Sequence, residues 1–141
     1  MSENEGKIMK EVIDFFTKNA VGCLATTESG KPRVRPFQFM FAAGGKFWFC
    51  TANTKDIYKQ LVVNPFVEFV ALSPEYKFMR MSGEIKFSKD MDIKKHIIDT
   101  NDLVRSVYNT PENPIFEVFC LEHGTVKIAD LSGQPPQFVK F

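Results

Sequence analysis

Cysteine, histidine and tryptophan are scarce in this chain of 141 residues, which contains three, two and one of them, respectively. Cys23, Cys50 and Cys120 stand far apart and form no C-x-x-C pair, so the sequence indicates neither a disulfide framework nor a zinc knuckle. All three lie in apolar stretches of sequence, where we expect small buried thiols. His96 and His123 belong to no recognisable metal-binding or Cys-His catalytic motif. No metal site is predicted.

A long hydrophobic run and an excess of charge of either sign are also lacking. No apolar stretch approaches the roughly 18 residues that a membrane-spanning helix needs. The 18 lysines and arginines nearly balance the 17 acidic residues, which argues against binding nucleic acid or anionic membranes through bulk charge. The polar, acidic stretch Met1–Glu5 does not resemble a secretory signal. We therefore expect a cytoplasmic protein with one domain over residues 1–141.

The chain does contain a clear change from helical to alternating hydrophobic spacing. Apolar residues at helical spacing predict a first helix over residues 7–18. Alternation and turn residues then predict strands and short helices. The strands cover residues 21–26, 33–41, 47–51, 66–72, 77–87, 115–121 and 124–129, and the helices cover residues 55–63, 90–98 and 101–108. About seven antiparallel strands with flanking helices predict an α+β fold, a small closed or nearly closed barrel.

Turns and caps complete this prediction. Glu28–Lys31 and the glycine-rich Ala43–Lys46 are predicted as hairpin turns, and Ser88 as the N-cap of the helix that follows it. The strands over residues 115–121 and 124–129 are expected to pair with each other. The tail over residues 132–141 is expected to lie extended on the surface.

A first basic cluster lies in the strand over residues 33–41. Because side chains alternate along a strand, Arg33 and Arg35 share a face that Phe37, Phe39 and Phe41 continue. Such a face suits a ligand with an anionic end and a flat apolar end, since a guanidinium group matches phosphate oxygens. The alternative is that the phenyl rings belong to the core and the arginines lie in solvent.

A second basic cluster lies where a strand ends and a helix begins, in Thr51–Gln60. The free N–H groups and positive pole of the helix start favour anions. Lys55 and Lys59 are four residues apart and share one helical face near that point. The alternative is that Asn53 or Thr54 is an ordinary N-cap and that the lysines are a solvated face.

Two further residues are expected to have structural roles. Arg80 lies in a strand that is otherwise suited to burial, so it needs an anionic partner such as Glu68 or Glu84. Trp48 is expected to pack in the core or at a subunit interface. The sequence shows no set of residues for acid–base or nucleophilic catalysis. A site for phosphate and a flat ring without such residues suggests that a bound cofactor performs the chemistry.

The order of these motifs resembles the pyridoxamine 5′-phosphate oxidase-related family of FMN-binding split-barrel proteins. The resemblance is carried by "ESGKPRVRPFQFMF", "FWFCTANTKDIYKQLVVNP", "VEFVAL" and "FMRMSGEIKF", and it weakens after residue 87. It implies a split β-barrel that forms a homodimer with two FMN sites at the subunit interface. The cofactor-binding residues that it implies, together with the two basic clusters, are Arg33, Arg35, Pro36, Phe37, Gln38, Cys50, Thr51, Ala52, Asn53, Lys55 and Lys59.

The family resemblance also suggests how these residues divide the cofactor between them. Arg35 would bind the phosphate together with Lys55 and Lys59, and the strand that follows Arg35 would run along the flavin ring. The chain departs from the oxidases themselves at two points. Thr54–Ile57 replaces a serine–arginine–lysine run, and no arginine follows Arg105 to bind a substrate. The resemblance therefore implies flavin binding but leaves the substrate open.

Three hypotheses about function follow. The first is an FMN-dependent oxidoreductase or reductase that acts on a small flat molecule. The second is a binding module without turnover, such as a flavin store, sensor or carrier. The third keeps the fold but binds haem, with His96 or His123 as axial ligand, or a deazaflavin.

Overall fold

The chain folds into nine antiparallel strands and four helices in a computed structural model that describes residues 2–141. The helices are α1 (Glu3–Lys18), α2 (Asp56–Val63), α3 (Met91–Thr100) and α4 (Asp102–Tyr108). The strands are β1 (Val21–Glu28), β2 (Lys31–Gln38), β3 (Phe41–Ala43), β4 (Lys46–Ala52), β5 (Phe66–Leu72), β6 (Phe78–Ser88), β7 (Phe116–Leu121), β8 (Thr125–Ala129) and β9 (Gln137–Lys140). The predicted α+β split barrel is confirmed. Over residues 2–141, no helix is both long and apolar enough to span a membrane.

Strand β6 joins the two parts of the barrel. The strand order is β2-β1-β5-β6-β7-β4-β3. One edge of β6 pairs with β5, and the opposite edge pairs first with β8 and then with β7. The pairing of β6 changes from β8 to β7 near Gly83. A Cβ added at Gly83 would lie 2.6 Å from the carbonyl oxygen of His123. The absence of a side chain at Gly83 therefore allows the loop between β7 and β8 to approach the sheet.

Short hairpin turns connect β1 to β2 and β3 to β4, as the sequence predicts. Ser29 and Gly30 both have positive φ between β1 and β2. Gly44 and Gly45 do so between β3 and β4, where glycine adopts this conformation without steric cost.

Phenylalanine fills the barrel interior. Phe16 of α1 packs against Phe39, Phe47 and Phe69, and Phe49 stacks on Phe119. The hydrophobic effect stabilises this arrangement, because these rings are removed from water almost completely.

Strand β4 is buried on both faces. Phe47 and Phe49 point into the barrel, whereas Trp48 and Cys50 belong to a second apolar cluster beneath α3 and α4. The predicted core role of Trp48 is thus confirmed. Because side chains alternate along a strand, this single strand connects the barrel to the helices on its outside.

Three local predictions were wrong, and the prediction for the tail was incomplete. The segments 115–121 and 124–129 do not pair with each other, because both are hydrogen-bonded to the long strand β6. The tail is extended and mostly exposed as predicted, but residues 137–140 also form strand β9 on β8. Asp90, not Ser88, caps α3. Cys23 is exposed, because it lies on the outer face of β1.

Phe41 does not continue the face of Arg35 and Phe37. The chain leaves the β2 ladder at Phe39 and Met40, whose N–H groups donate to Ala20 and Trp48 carbonyl oxygens. Phe41 then stacks on Trp48 in the second cluster. The bend therefore divides one predicted strand into β2 and β3.

We expect Phe49→Ala to lower the free energy of unfolding by about 3–5 kcal/mol, because it leaves a cavity among stacked rings. Phe138→Ala is the matched control, since Phe138 is largely exposed, and we expect a change of about 1 kcal/mol or less. Urea denaturation measures both. Equal losses in the two variants would contradict the described core.

Candidate functional site

The Arg35 side chain lies where β1, β2 and α2 meet. Its Nη1 donates to the Thr26 hydroxyl at 2.9 Å and to the Leu24 carbonyl oxygen at 3.3 Å. Its Nη2 donates to Gln60 Oε1 at 2.7 Å. Burial lowers the pKa of the guanidinium, while the nearby Asp56 carboxylate raises it. The group remains charged, because arginine does not lose its proton in proteins.

The guanidinium of Arg35 retains donors for a ligand. A guanidinium has five N–H groups, and the bonds to Leu24, Thr26 and Gln60 occupy three of them. Both Nη1 protons are used, whereas Nε–H and one Nη2–H have no acceptor within residues 2–141. Two such donors are what bidentate binding of a phosphate group requires.

Arg33 lies farther out than Arg35. Its Nη2 is 3.2 Å from the Glu28 carboxylate, and both side chains are exposed. A surface pair of this kind contributes little to stability. Arg33 is therefore at the rim of the Arg35 cluster rather than inside it.

The start of α2 is free of a side-chain cap. Lys55 is the N-cap residue and makes no side-chain capping bond, so the first N–H groups of the helix have no side-chain acceptor. The alternative in which Asn53 or Thr54 caps the helix was wrong. Asn53 instead donates from Nδ2 to the Pro114 carbonyl oxygen at 2.9 Å and to Glu117 at 3.3 Å. Lys55 and Lys59 are both exposed at this end.

A groove of about 200 Å³ begins next to Arg35 along β2. Six predicted residues line it, namely Pro36, Phe37, Gln38, Cys50, Thr51 and Lys55. The other five predicted residues, Arg33, Arg35, Ala52, Asn53 and Lys59, do not line it. The structure therefore brings the end of β2, the end of β4 and the start of α2 together, with Arg35 beyond the edge of the groove.

Helix α4 forms a wall of this groove that the sequence analysis did not include. It contributes Leu103, Val104, Val107 and Tyr108, and Met40 adds to the lining. Leu103 and Val107 lie one turn apart and are 67% and 58% exposed although they are apolar. The spacing of Leu103, Val104 and Val107 was a signal for an apolar helical face, but it did not reveal what the face contacts.

The floor of the groove is apolar and contains groups that stay neutral. Burial raises the pKa of the Cys50 thiol to about 12 despite the opposing effect of Lys55. Burial, together with Cys50, raises the pKa of Tyr108 to about 12. The buried Thr51 hydroxyl has no hydrogen-bond partner among residues 2–141. An unpaired buried hydroxyl is costly. The indole N–H of Trp48, which does not line the groove, is buried without a partner within residues 2–141 in the same way.

These observations fit a cofactor with an anionic end and a flat ring. The two free N–H groups of Arg35 and the uncapped start of α2 suit a phosphate. The apolar walls from β2 and α4 suit a ring.

Other surface features of the fold bring no predicted site residues together. A wider groove of about 590 Å³ crosses the outer face of the sheet and includes Phe66, Glu68 and Ser82. Arg80 lies on this face and pairs at 3.7 Å with Glu68, one of its two predicted partners. Among residues 2–141, no group of three or more histidine, cysteine or acidic side chains is arranged to hold a metal ion.

Comparisons with known proteins agree with this fold. The family model described as pyridoxamine 5′-phosphate oxidase matches residues 8–127. Because this match covers most of the chain, the protein belongs to the pyridoxamine 5′-phosphate oxidase family. No curated protein matches the chain.

Solved structures similar to the chain include a NimC/NimA family protein from Clostridium acetobutylicum. It is 27% identical with a TM-score of 0.85, and the alignment covers 94% of this chain and 93% of that one. A pyridoxamine 5′-phosphate oxidase-related, FMN-binding protein from Nostoc punctiforme is 17% identical, with a TM-score of 0.72 and coverage of 98% and 90%. A heme-binding protein from Mycobacterium smegmatis is 16% identical, with a TM-score of 0.71 and coverage of 87% and 53%. At this low identity, the last two structures show only that they have the same fold as this chain.

We expect the buried thiols to be unreactive in the folded protein. In Cys23→Ser, only Cys50 and Cys120 remain, and burial raises the pKa of both. Since thiolates are the reactive form, DTNB at pH 8 should give no fast reaction, whereas two thiols should react after unfolding in urea. A fast-reacting thiol in the folded variant would contradict the described burial.

Proposed function

We propose that the protein binds FMN in the groove and acts as a flavin-dependent oxidoreductase on a small flat molecule. The observation that carries the proposal is the placement of an apolar groove beside a charged arginine with two free donors. Arg35, Lys55 and Lys59 would hold the phosphate. Pro36, Phe37 and Gln38 would run along the ring, and Arg33 would contribute at the rim. The residues bordering the flavin would be Cys50, Thr51, Ala52 and Asn53.

Bound FMN supplies hydride and electron transfer, chemistry that none of these side chains performs alone. The chain contributes binding and orientation. The Arg35 charge fixes the anionic end, and the Leu103 and Val107 side chains keep water from one wall of the groove. The neutral Cys50 thiol and Tyr108 hydroxyl leave the floor without charge at pH 7.

We further propose that the active form is a homodimer in the cytoplasm with FMN at the subunit interface. Small-molecule sites usually measure about 300–1,000 Å³, whereas this groove measures about 200 Å³ in one chain. A second copy would complete it. Val21 and Val34 on the adjoining strands β1 and β2 are mostly exposed and provide apolar surface for such a contact.

Haem is the second candidate, because a structure with the same fold is that of a heme-binding protein. The two histidines do not favour haem in this groove. His96 packs on the Phe41 ring at 4.3 Å, and His123 is exposed in the turn after β7. Neither lines the groove, so FMN agrees better with the described residues.

A visible absorption spectrum tests the cofactor and the activity together. After addition of FMN and desalting, we expect the protein to retain about one flavin per chain, because flavin enzymes bind their cofactor stoichiometrically. Sedimentation equilibrium of the same sample should give a dimer. An oxidoreductase should be bleached by a reduced nicotinamide cofactor and recover its colour in air. A retained flavin that is not bleached would favour the store, sensor or carrier, and colourless protein would exclude both flavin functions.

We expect Arg35→Ala to weaken FMN binding by roughly 1.5–3 kcal/mol, the range for hydrogen bonds to charged groups. Fluorescence titration of FMN measures this change. Arg80→Ala is the matched control, since Arg80 pairs with Glu68 on the outer face of the sheet, and its FMN affinity should not change. An unchanged affinity in Arg35→Ala would remove Arg35 from the phosphate site.

A further inference from the structure

Gln60 is a buried polar residue whose amide oxygen and amide nitrogen are both hydrogen-bonded. It lies on the inner side of α2 and is 6% exposed. Its Oε1 accepts from Arg35 Nη2 at 2.7 Å and from the Thr26 hydroxyl at 2.5 Å. Its Nε2 donates to the Glu28 carboxylate at 3.2 Å. The amide therefore connects a cation on one side with an anion on the other.

The chemistry of its neighbours fixes which way the Gln60 amide points. A guanidinium can only donate and an ionised carboxylate can only accept. Rotating the amide by 180° would place its NH₂ against Arg35 and its oxygen against Glu28, so both bonds would be lost. Only one orientation satisfies the two neighbours.

A glutamate at position 60 would not serve the same purpose. Its second oxygen would face the Glu28 carboxylate, and two like charges at hydrogen-bond distance repel each other. A glutamate would also neutralise Arg35 and reduce its attraction for an anion. Glutamine supplies the acceptor that Arg35 needs without adding a charge.

We infer that Gln60 is a positioning residue that orients Arg35 and thereby makes the site prefer a phosphorylated flavin to an unphosphorylated one. The inference rests on the proposed function, since it concerns the same phosphate site. Together with Thr26, Gln60 holds the Nη atoms of Arg35 and leaves Nε–H and one Nη2–H for the ligand. Gln60 would act on the phosphate only through Arg35.

The test compares FMN with riboflavin, which has the same ring but lacks the phosphate. In Gln60→Met, which keeps the length of the side chain but loses its hydrogen bonds, we expect the Kd of FMN to rise by about tenfold. We expect the Kd of riboflavin to stay within about twofold. Gln137→Met is the matched control, because Gln137 is exposed on β9, and both affinities should be unchanged.

A merely structural role of Gln60 predicts a different result, in which FMN and riboflavin lose affinity by the same factor. That result, or an unchanged FMN affinity, would overturn the inference. The double variant Arg35→Ala, Gln60→Met provides a second criterion. If Gln60 acts through Arg35, the double variant should bind FMN no more weakly than Arg35→Ala alone. An additive loss would mean that Gln60 acts independently and would also overturn the inference.

Gln60→Asn decides the question if Gln60→Met does not fold. It keeps a neutral amide and leaves the charge of the site unchanged, but its shorter side chain withdraws the acceptor from Arg35 Nη2. We expect a loss of FMN affinity of about threefold, with riboflavin unaffected. An unchanged ratio would overturn the inference. The proposed function fails separately, when the unaltered protein retains no FMN after desalting.

Discussion

The hydrogen bonds of the Arg35 guanidinium hold three elements of the fold in one arrangement. Arg35 comes from β2, its acceptors Leu24 and Thr26 come from β1, and Gln60 comes from α2. Removing a charged group from water is costly unless its donors are satisfied. The partial burial of Arg35 therefore requires these partners, and their positions in turn place the start of α2 beside the end of β2.

Strand β4 holds the floor of the groove in place through Cys50 and Thr51. Its inward residues Phe47 and Phe49 are packed in the barrel, and its outward residues Trp48 and Cys50 are packed under the outer helices. A strand held on both faces cannot shift without opening two clusters. The groove floor at Cys50 and Thr51 is thus fixed by the core, whereas the wall from α4 is partly exposed.

Local signals predicted much of the fold and part of the site. The Gly44–Gly45 turn follows from backbone preferences. The alternation around Arg35 was a weaker guide, because Phe39 belongs to the barrel core, as the alternative interpretation held, and Phe41 lies in the second cluster. The division of β2 from β3 at Met40 could not be predicted, because the run of apolar residues continues through the bend. The pairing of β8 with β6 and the bond from Arg35 to Gln60 depend on contacts between residues far apart in sequence. No local period encodes them.

The charged side chains near the groove also limit which molecules could bind beside a flavin in the proposed site. Arg105, the last arginine of the sequence, donates to the Ile98 carbonyl oxygen and pairs with Asp102. Arg80 pairs with Glu68 on the outer sheet, and Arg35 belongs to the proposed phosphate site. Lys55 is the only cation that lines the groove within residues 2–141. A second phosphorylated molecule would find little countercharge from this chain there, whereas the apolar side of α4 suits a neutral one.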